Sequence, residues 1–370
     1  MEINLNNFTA GNGQKKKGNS FLGALLLILI GTILLAWNEY NNVQNIKVLA
    51  AFEKEAVEIS SETVDPQYDG KAVTTNGKLT VVDEPLQDDE FNVAVKTARL
   101  KRIVEMYQWE EKEENDDGRT TYRYSKVWSD KVLDVSHDTQ KNAENPKSMP
   151  FKTDEYFAKD VKVGAYNLSA DQIEYIAIDA EYDFSQDAII DGYTKQGHYM
   201  TNARNLENPN IGDIRIIWKY NDWTEASVAA TVAGNSFKDF KSSDSANSIN
   251  RVDKGLLSKD ELCRNQQNEN NMLKWILRAV GALMILFGYL SLISFITRFT
   301  NKIPVLGSIV GWALSGIAFL LAVIHSLVII IVFWFIYRPV LAIIFIAIII
   351  AAIVGIVVLL KKKKGTQAAA

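Results

Sequence analysis

The sequence predicts an α+β membrane protein, with four transmembrane helices (one N-terminal, three C-terminal) and a large β-rich extracytoplasmic or lumenal domain. Three observations predict it. The last 96 residues, Trp275–Ala370, contain no aspartate or glutamate and consist of long apolar runs broken by isolated cations. A water-facing segment of that length needs carboxylates for solvation; this one suits a bilayer. Charge is also split along the chain. Of 40 Lys+Arg, 11 lie outside Asn38–Lys274, but of 44 Asp+Glu only Glu2 does, leaving 29 cations against 43 carboxylates in the middle. Such a split bears on solubility and orientation. Finally, the patterns of that acidic middle are mostly those of strands.

Residues 1–20 read as a cytoplasmic tail carrying Lys15–Lys17. Residues 21–37 form the first span, Phe21–Trp37, uncharged and at the short end of what crosses ~30 Å of hydrocarbon. A signal peptide shares the basic-then-apolar pattern. However, the run exceeds a usual signal core, and no small-x-small cleavage site precedes Trp37-Asn38-Glu39.

Residues 275–296 make the second span. The run Ile303–Tyr337 is too long for one crossing. It divides into a cytoplasmic or interfacial loop, 297–314, holding Gly307, Ser308 and Gly311, and a third span, 315–337. Arg338-Pro339 supplies a tight connection, because proline disfavours helical geometry before it and cannot donate its own N–H. Residues 340–360 are the fourth span and 361–370 a basic cytoplasmic tail. With four crossings, Lys15–Lys17, Arg298/Lys302 and Lys361–Lys364 share one side, which the positive-inside rule makes cytoplasmic. Both termini are then cytoplasmic and the domain 38–274 lies opposite. Three crossings would strand one basic end outside.

That domain is large enough to bury a core as one or two units. Ala72–Val82 is β-branched around Asn76-Gly77, a hairpin turn or a bulge. Val93–Glu114 is a long extended segment, followed after Asn115–Arg119 by Thr120–Val135. Together they read as a hairpin with cross-strand aromatics, Tyr107 and Trp109 against Tyr122, Tyr124 and Trp128. Ile211–Tyr220 and Ala226–Gly234 read as a second antiparallel pair, Ala50–Val57 as helical, and Ser242–Asn250 as a loop. Ser258-Lys259-Asp260-Glu261 is a capping box that starts a helix running into the second span, a stalk between domain and membrane.

Little here carries chemistry. Asn115-Asp116-Asp117-Gly118 lacks the spaced carboxylates and distal glutamate of a calcium loop and reads as a solvated turn. Cys263 is the only cysteine, so intrachain disulfides and cysteine metal sites are excluded. His137 beside Asp138, and His198 seven residues after Asp191, do not match a zinc spacing. Gly192–Gly197 fits an ordinary turn. No nucleophile elbow, phosphate-cradling loop or dinucleotide fingerprint is present, and the acidic domain argues against nucleic acid. No catalytic, cofactor-binding or metal residue is therefore expected, and no cofactor. The candidate intramembrane polar positions are Arg278 and His325. Arg278, one turn into its span, is expected to snorkel to the interface. His325, near mid-span beside Ser326, is expected to be a neutral hydrogen-bonding residue, because the spans offer no acidic partner for an ion path. Gly281, Gly288, Gly307, Gly311 and Gly316 are small-residue positions, and the Gly307-x-x-x-Gly311 spacing allows close helix contact.

Several blocks in one order resemble the transmembrane protein 43 family, also called LUMA. The most specific is Val95–Glu111, VKTARLKRIVEMYQWEE, which holds Glu105, Tyr107, Gln108 and Trp109. It is followed by the Tyr122–Trp128 strand. Others are Trp37-Asn38-Glu39, Gly70–Leu79, Asn145-Pro146-x-Ser148-Met149, Ile211–Arg215, Met272–Gly281 and Trp334-x-x-Tyr337-Arg338-Pro339. The Asn-rich N-terminal tail, the end of the chain and parts of Glu155–Tyr182 depart from the family.

The resemblance implies four spans and a large lumenal domain. In animals it implies the endoplasmic reticulum and inner nuclear membrane, self-association, and organisation of membrane-protein complexes including emerin and lamins. In a bacterial source the domain would be periplasmic or extracellular and nuclear partners would not carry over. No family catalytic residue maps here. The expectation is a non-enzymatic membrane organiser whose partners are lipid, further copies of itself and other membrane proteins. The alternatives are a transporter or channel component using His325, and an enzyme acting on lipid or cell-wall substrate.

Overall fold

The structure, a computed structural model, describes residues 19–116, 119–137, 143–185, 190–300, 307–337, 343–344, 346–348 and 350–351. They fall into two compact units. Phe52–Phe240 and Ile249–Leu262 form the first; the described residues of 13–51, of 241–248 and from 263 onward form the second.

The first unit is β-rich and has two cores. Strand β2 (Ala72–Val81) pairs antiparallel with β14 (Glu225–Ala233) and with β8 (Val161–Val163). From β8 the pairing runs to β9 (Tyr166–Asn167), to β15 (Ser236–Lys238) and back to β14, so five strands close in a ring. Strand β1 (Val57–Glu58) joins β2 in parallel, and β18 (Arg251–Lys254) joins β14. Val73, Val163, Tyr166, Val228, Val232 and Phe237 are buried together here. A short helix α2 (Ala170–Tyr175), held by a Ser169/Gln172 capping box, adds Ile173.

The second sheet runs β11 (Thr194–Gln196), β12 (Tyr199–Thr201), β13 (Ile214–Tyr220), β5 (Arg99–Asp116) and β6 (Arg119–Ser129). Strand β10 (Ala180–Glu181) adds to β13 and β7 (Asp154–Phe157) to β5. Leu100, Arg102, Val104, Met106 and Gln108 point into the core while the intervening residues stay partly exposed, the period-two consequence of the pleat. A separate hairpin, β3 (Leu86–Asp88) with β4 (Val93–Val95), brings the buried Asp88 to Arg102. The pair β16 (Phe240–Lys241) and β17 (Ser248–Ile249) completes the strands, two of them inside the expected Ser242–Asn250 loop and at its edge.

Several expectations change. Asn76-Gly77 is neither turn nor bulge, because β2 passes straight through it in register with β14. Glycine is needed there for space: a Cβ on Gly77 would lie 2.3 Å from Ser61 Oγ. Ile211–Tyr220 and Ala226–Gly234 are not partners. β13 pairs with β5 and β14 with β2, so the chain changes sheet between them. Val93–Glu114 is likewise broken between Val95 and Arg99, where Thr97 Oγ1 donates to Asn221 O at 2.7 Å. The β5/β6 hairpin forms, but of the expected aromatic partners only Tyr107 and Trp128 stand opposite each other, their rings 5.3 Å apart; Trp109 faces Lys126, Tyr122 faces Glu113 and Tyr124 faces Glu111. It ends at Ser129 instead of Val135, because the Gln108 side chain bonds Lys131 O and Leu133 N and draws the chain away. Asp117-Gly118 lies outside the described residues. Gly192–Gly197 is not one ordinary turn: Gly192 (φ 82°) and Gly197 (φ 63°) lie in separate turns on either side of β11.

The second unit is helical: α1 (Asn19–Glu55), α3 (Lys259–Thr300) and α4 (Gly307–Tyr337). Among the described residues three helices are long and apolar enough to cross a membrane, Phe21–Glu55, Lys259–Phe295 and Leu314–Tyr337. α1 does not stop at Trp37 but continues to Glu55, absorbing most of the helical stretch read at Ala50–Val57. α3 starts at the expected capping box, where Glu261 N–H faces Ser258 Oγ and Ser258 N–H donates to Glu261 Oε2 at 2.9 Å. The 297–314 loop is shorter than read, since α3 reaches Thr300 and α4 begins at Gly307. Arg338-Pro339, most of the fourth span and both chain tails lie outside the described residues; 343–344, 346–348 and 350–351 are helical.

Candidate functional site in the membrane helices

Helices α1 and α3 lie antiparallel in a constant register. Phe21 meets Phe295 with ring centroids 5.5 Å apart, Gly31 meets Gly281, and Asn45 meets Asn270. Small residues make the approach possible. A Cβ on Gly281 would lie 2.7 Å from Leu35 Cγ, and one on Gly288 would lie 2.5 Å from Ile28 Cγ1 and 3.0 Å from Ala24 O. Gly281 and Gly288 are a heptad apart on α3, matching Ala24 and Gly31 on α1, so the contact repeats along one seam. Gly316 has open space around it.

Polar groups occupy three levels of this bundle. Deepest, His325 on α4 places Nε2 3.2 Å from Thr32 Oγ1 on α1 and Nδ1 3.1 Å from the Tyr289 hydroxyl on α3. Next, Arg278 donates from Nε to Glu39 Oε1 at 2.6 Å and from Nη2 to Glu39 Oε2 at 2.8 Å. Both residues are buried, and the guanidinium also faces the rings of Trp275 (4.8 Å) and Trp334 (5.9 Å). Outermost, Asn38 Nδ2 donates to Lys274 O at 3.1 Å and Asn45 Nδ2 to Asn270 Oδ1 at 3.2 Å. There Asn247 Nδ2 donates to Asn41 Oδ1 at 2.8 Å and also to Asn45 Oδ1, while Ser245 Oγ donates to Gln44 O at 2.8 Å. The segment 241–248 thus straps α1 from outside.

Arg278 therefore does not snorkel to water. It is neutralised in place by Glu39, which the sequence places just after the first anchor, in one of the blocks that carry the family resemblance. A signal was available. Each charge lies within one turn of a tryptophan (Trp37, Trp275) at the same end of its apolar run, which antiparallel helices bring level. Thr32 and Tyr289 carried no such mark. Arg278 and His325 do not meet; Tyr337, near Tyr40 (6.2 Å), lies toward the Arg278 end of α4.

The family-block residues of the first unit are structural anchors. Glu105 accepts from Arg215 Nε at 2.7 Å across β5 and β13. Arg215 is itself stacked between Trp128 (4.5 Å) and Tyr199 (5.0 Å), and Lys126 lies over Trp109 (4.8 Å). Trp109 exchanges both backbone bonds with the Asn145 side chain. His137 pairs with Glu111 and stacks on Tyr122. Burial, and next to it the Asp88 carboxylate, pushes the Tyr156 hydroxyl up to about 12. Asp88 also accepts from Arg102 Nη1 at 2.7 Å and Trp218 Nε1 at 2.8 Å. Among the described residues no group of three or more His, Cys, Asp or Glu is placed to hold a metal ion.

The family model for Transmembrane protein 43 matches residues 106–339, more than half of the chain. The chain belongs to the transmembrane protein 43 family. It is 27% identical over 348 residues to the Rattus norvegicus Transmembrane protein 43, covering 88% of this chain and 86% of that protein. The Homo sapiens protein is 26% identical over 348 residues (88% and 86%), and the Drosophila melanogaster homolog 26% over 348 residues (87% and 89%). No solved structure matches. The transmembrane protein 43 match takes in β5 from Met106 onward, and α3 and α4, the helices that carry Arg278 and His325.

Proposed function

We propose that the protein is a non-enzymatic multi-pass membrane protein that organises membrane-protein complexes, through self-association and through binding by its β-rich domain outside the cytoplasm. The observation that carries this reading is that the arginine and the histidine within the helices bond to side chains of neighbouring helices. Arg278 closes on Glu39, and His325 on Thr32 and Tyr289. Such pairing suits a fixed scaffold better than a path for ions, which needs polar groups that exchange partners. The partly exposed face holding Tyr107, Trp109, Trp128, Tyr199 and Arg215 supplies the aromatic and arginine chemistry favoured at protein interfaces. The basic ends of the apolar segments support a cytoplasmic location for both termini and an exported or lumenal domain.

Cross-linking of the full-length protein in native membranes tests the proposal. Adducts with further copies and with other membrane proteins are expected, and recovery as isolated monomer alone overturns it. The competing transporter or channel reading requires that His325→Ala change an ion or proton flux. A lipid- or cell-wall-acting enzyme rests only on the size of the domain.

A further inference from the structure

The direction of every hydrogen bond around His325 follows from counting protons. Thr32 Oγ1 lies 2.6 Å from Ile28 O, one turn back on its own helix. A carbonyl only accepts, so the threonine hydrogen is committed there. Toward His325 Nε2, at 3.2 Å, Thr32 Oγ1 therefore accepts, and Nε2 must carry a hydrogen. A neutral imidazole then presents a bare Nδ1, which accepts from the Tyr289 hydroxyl at 3.1 Å.

We propose that His325 is held as the neutral Nε2–H tautomer, a positioning residue that ties α4 to α1 and α3 and conducts no proton. The bonds run one way: Tyr289 O–H to Nδ1, Nε2–H to Thr32, Thr32 O–H to the Ile28 carbonyl. The run ends on a helical peptide oxygen, which has no proton to pass on. A second proton on the ring would turn Nδ1–H against the Tyr289 oxygen and leave the phenol hydrogen seeking another acceptor. The sequence of the apolar segments offers no compensating anion. Residues 275–370 contain no carboxylate and Phe21–Trp37 no charge. The Glu39 carboxylate is taken by Arg278. His325 precedes Tyr337 by 12 residues, about 18 Å along the helix, which is near mid-bilayer. Only one hydrogen-bond pattern satisfies all three side chains there, whether or not the protein organises complexes.

Nitrogen NMR of full-length protein, ¹⁵N-labelled at histidine in lipid bilayers, reads this directly, with His325→Gln identifying the signal. The expected result is a single species with the hydrogen on Nε2 and a bare Nδ1 at neutral pH. Thr32→Ser should keep that spectrum, and Thr32→Val should bring in the Nδ1–H tautomer or the charged ring. A charged ring in the wild type at neutral pH, a dominant Nδ1–H tautomer, or an unchanged spectrum in Thr32→Val would each overturn the assignment. Failure of cross-linking in native membranes would remove the organiser reading and leave this result untouched.

Discussion

Arg278 and Glu39, far apart in sequence, form a two-pronged ion pair, Nε to Oε1 at 2.6 Å and Nη2 to Oε2 at 2.8 Å, with both side chains at least nine-tenths buried. Removing one partner leaves the other charged and enclosed, which typically costs about 3–5 kcal/mol. Glu39→Leu or Arg278→Met alone should therefore destabilise the full-length protein in detergent by that order, read from denaturant unfolding. The double variant should recover most of the loss, because apolar replacement of a whole buried pair is often neutral.

The α1/α3 seam has no room for a methyl group. Gly281→Ala places a Cβ against Leu35 and Gly288→Ala one against Ile28 and the Ala24 carbonyl. Each should cost about 1–3 kcal/mol of overpacking. Energy transfer between labels on α1 and α3 should fall in both variants. Gly316→Ala, which has open space, serves as the control and should leave the signal unchanged.

Ser61 is wedged between two glycines of the first unit. A Cβ on Gly164 would lie 2.2 Å from Ser61 O and the backbone there is left-handed (φ 59°), so Gly164→Ala meets both strain and collision. Gly77→Ala meets the Ser61 hydroxyl at 2.3 Å. Both should lower the melting temperature of the full-length protein. Adding Ser61→Gly should rescue Gly77→Ala in large part and Gly164→Ala little, since the backbone oxygen remains.

Tyr156 gives a pH signature at the alkaline end. Its hydroxyl is pushed up to about 12 by burial and the Asp88 carboxylate, against about 10 in the unfolded chain. Below about pH 10 the phenol is protonated in both states and the stabilisation is complete. As pH rises from there toward about 12, the unfolded phenol loses its proton first and stability falls. Tyr156→Phe should be flatter than the wild type across that window in pH-dependent melting. Equal slopes would refute the assignment.

Three of the apolar spans, the Ser258 capping box, the β5/β6 hairpin, and the family itself were legible in the chain. Each is local: a run of apolar residues, a three-residue spacing, two aromatic stretches joined by a polar turn. The errors fell where partners are distant. β13 and β14 follow one another closely, yet each pairs with a strand more than a hundred residues away. Nothing in the intervening turn announces that choice. Asn76-Gly77 carries the composition of a turn, but its glycine answers to Ser61 from another segment.

Composition and periodicity alone made this an α+β membrane protein, because solvation is decided residue by residue: a long stretch without carboxylates suits lipid, and an acidic one suits water. Which polar groups inside the helices face one another was settled only by packing. Arg278 looked free to snorkel until the α1/α3 register brought Glu39 level with it, and the partners of His325, expected to hydrogen-bond across the helices, were fixed only when Thr32 and Tyr289 closed around it. Hydrogen bonds and ion pairs depend on separations of about 3 Å, and only the assembled helices bring distant parts of the chain that close.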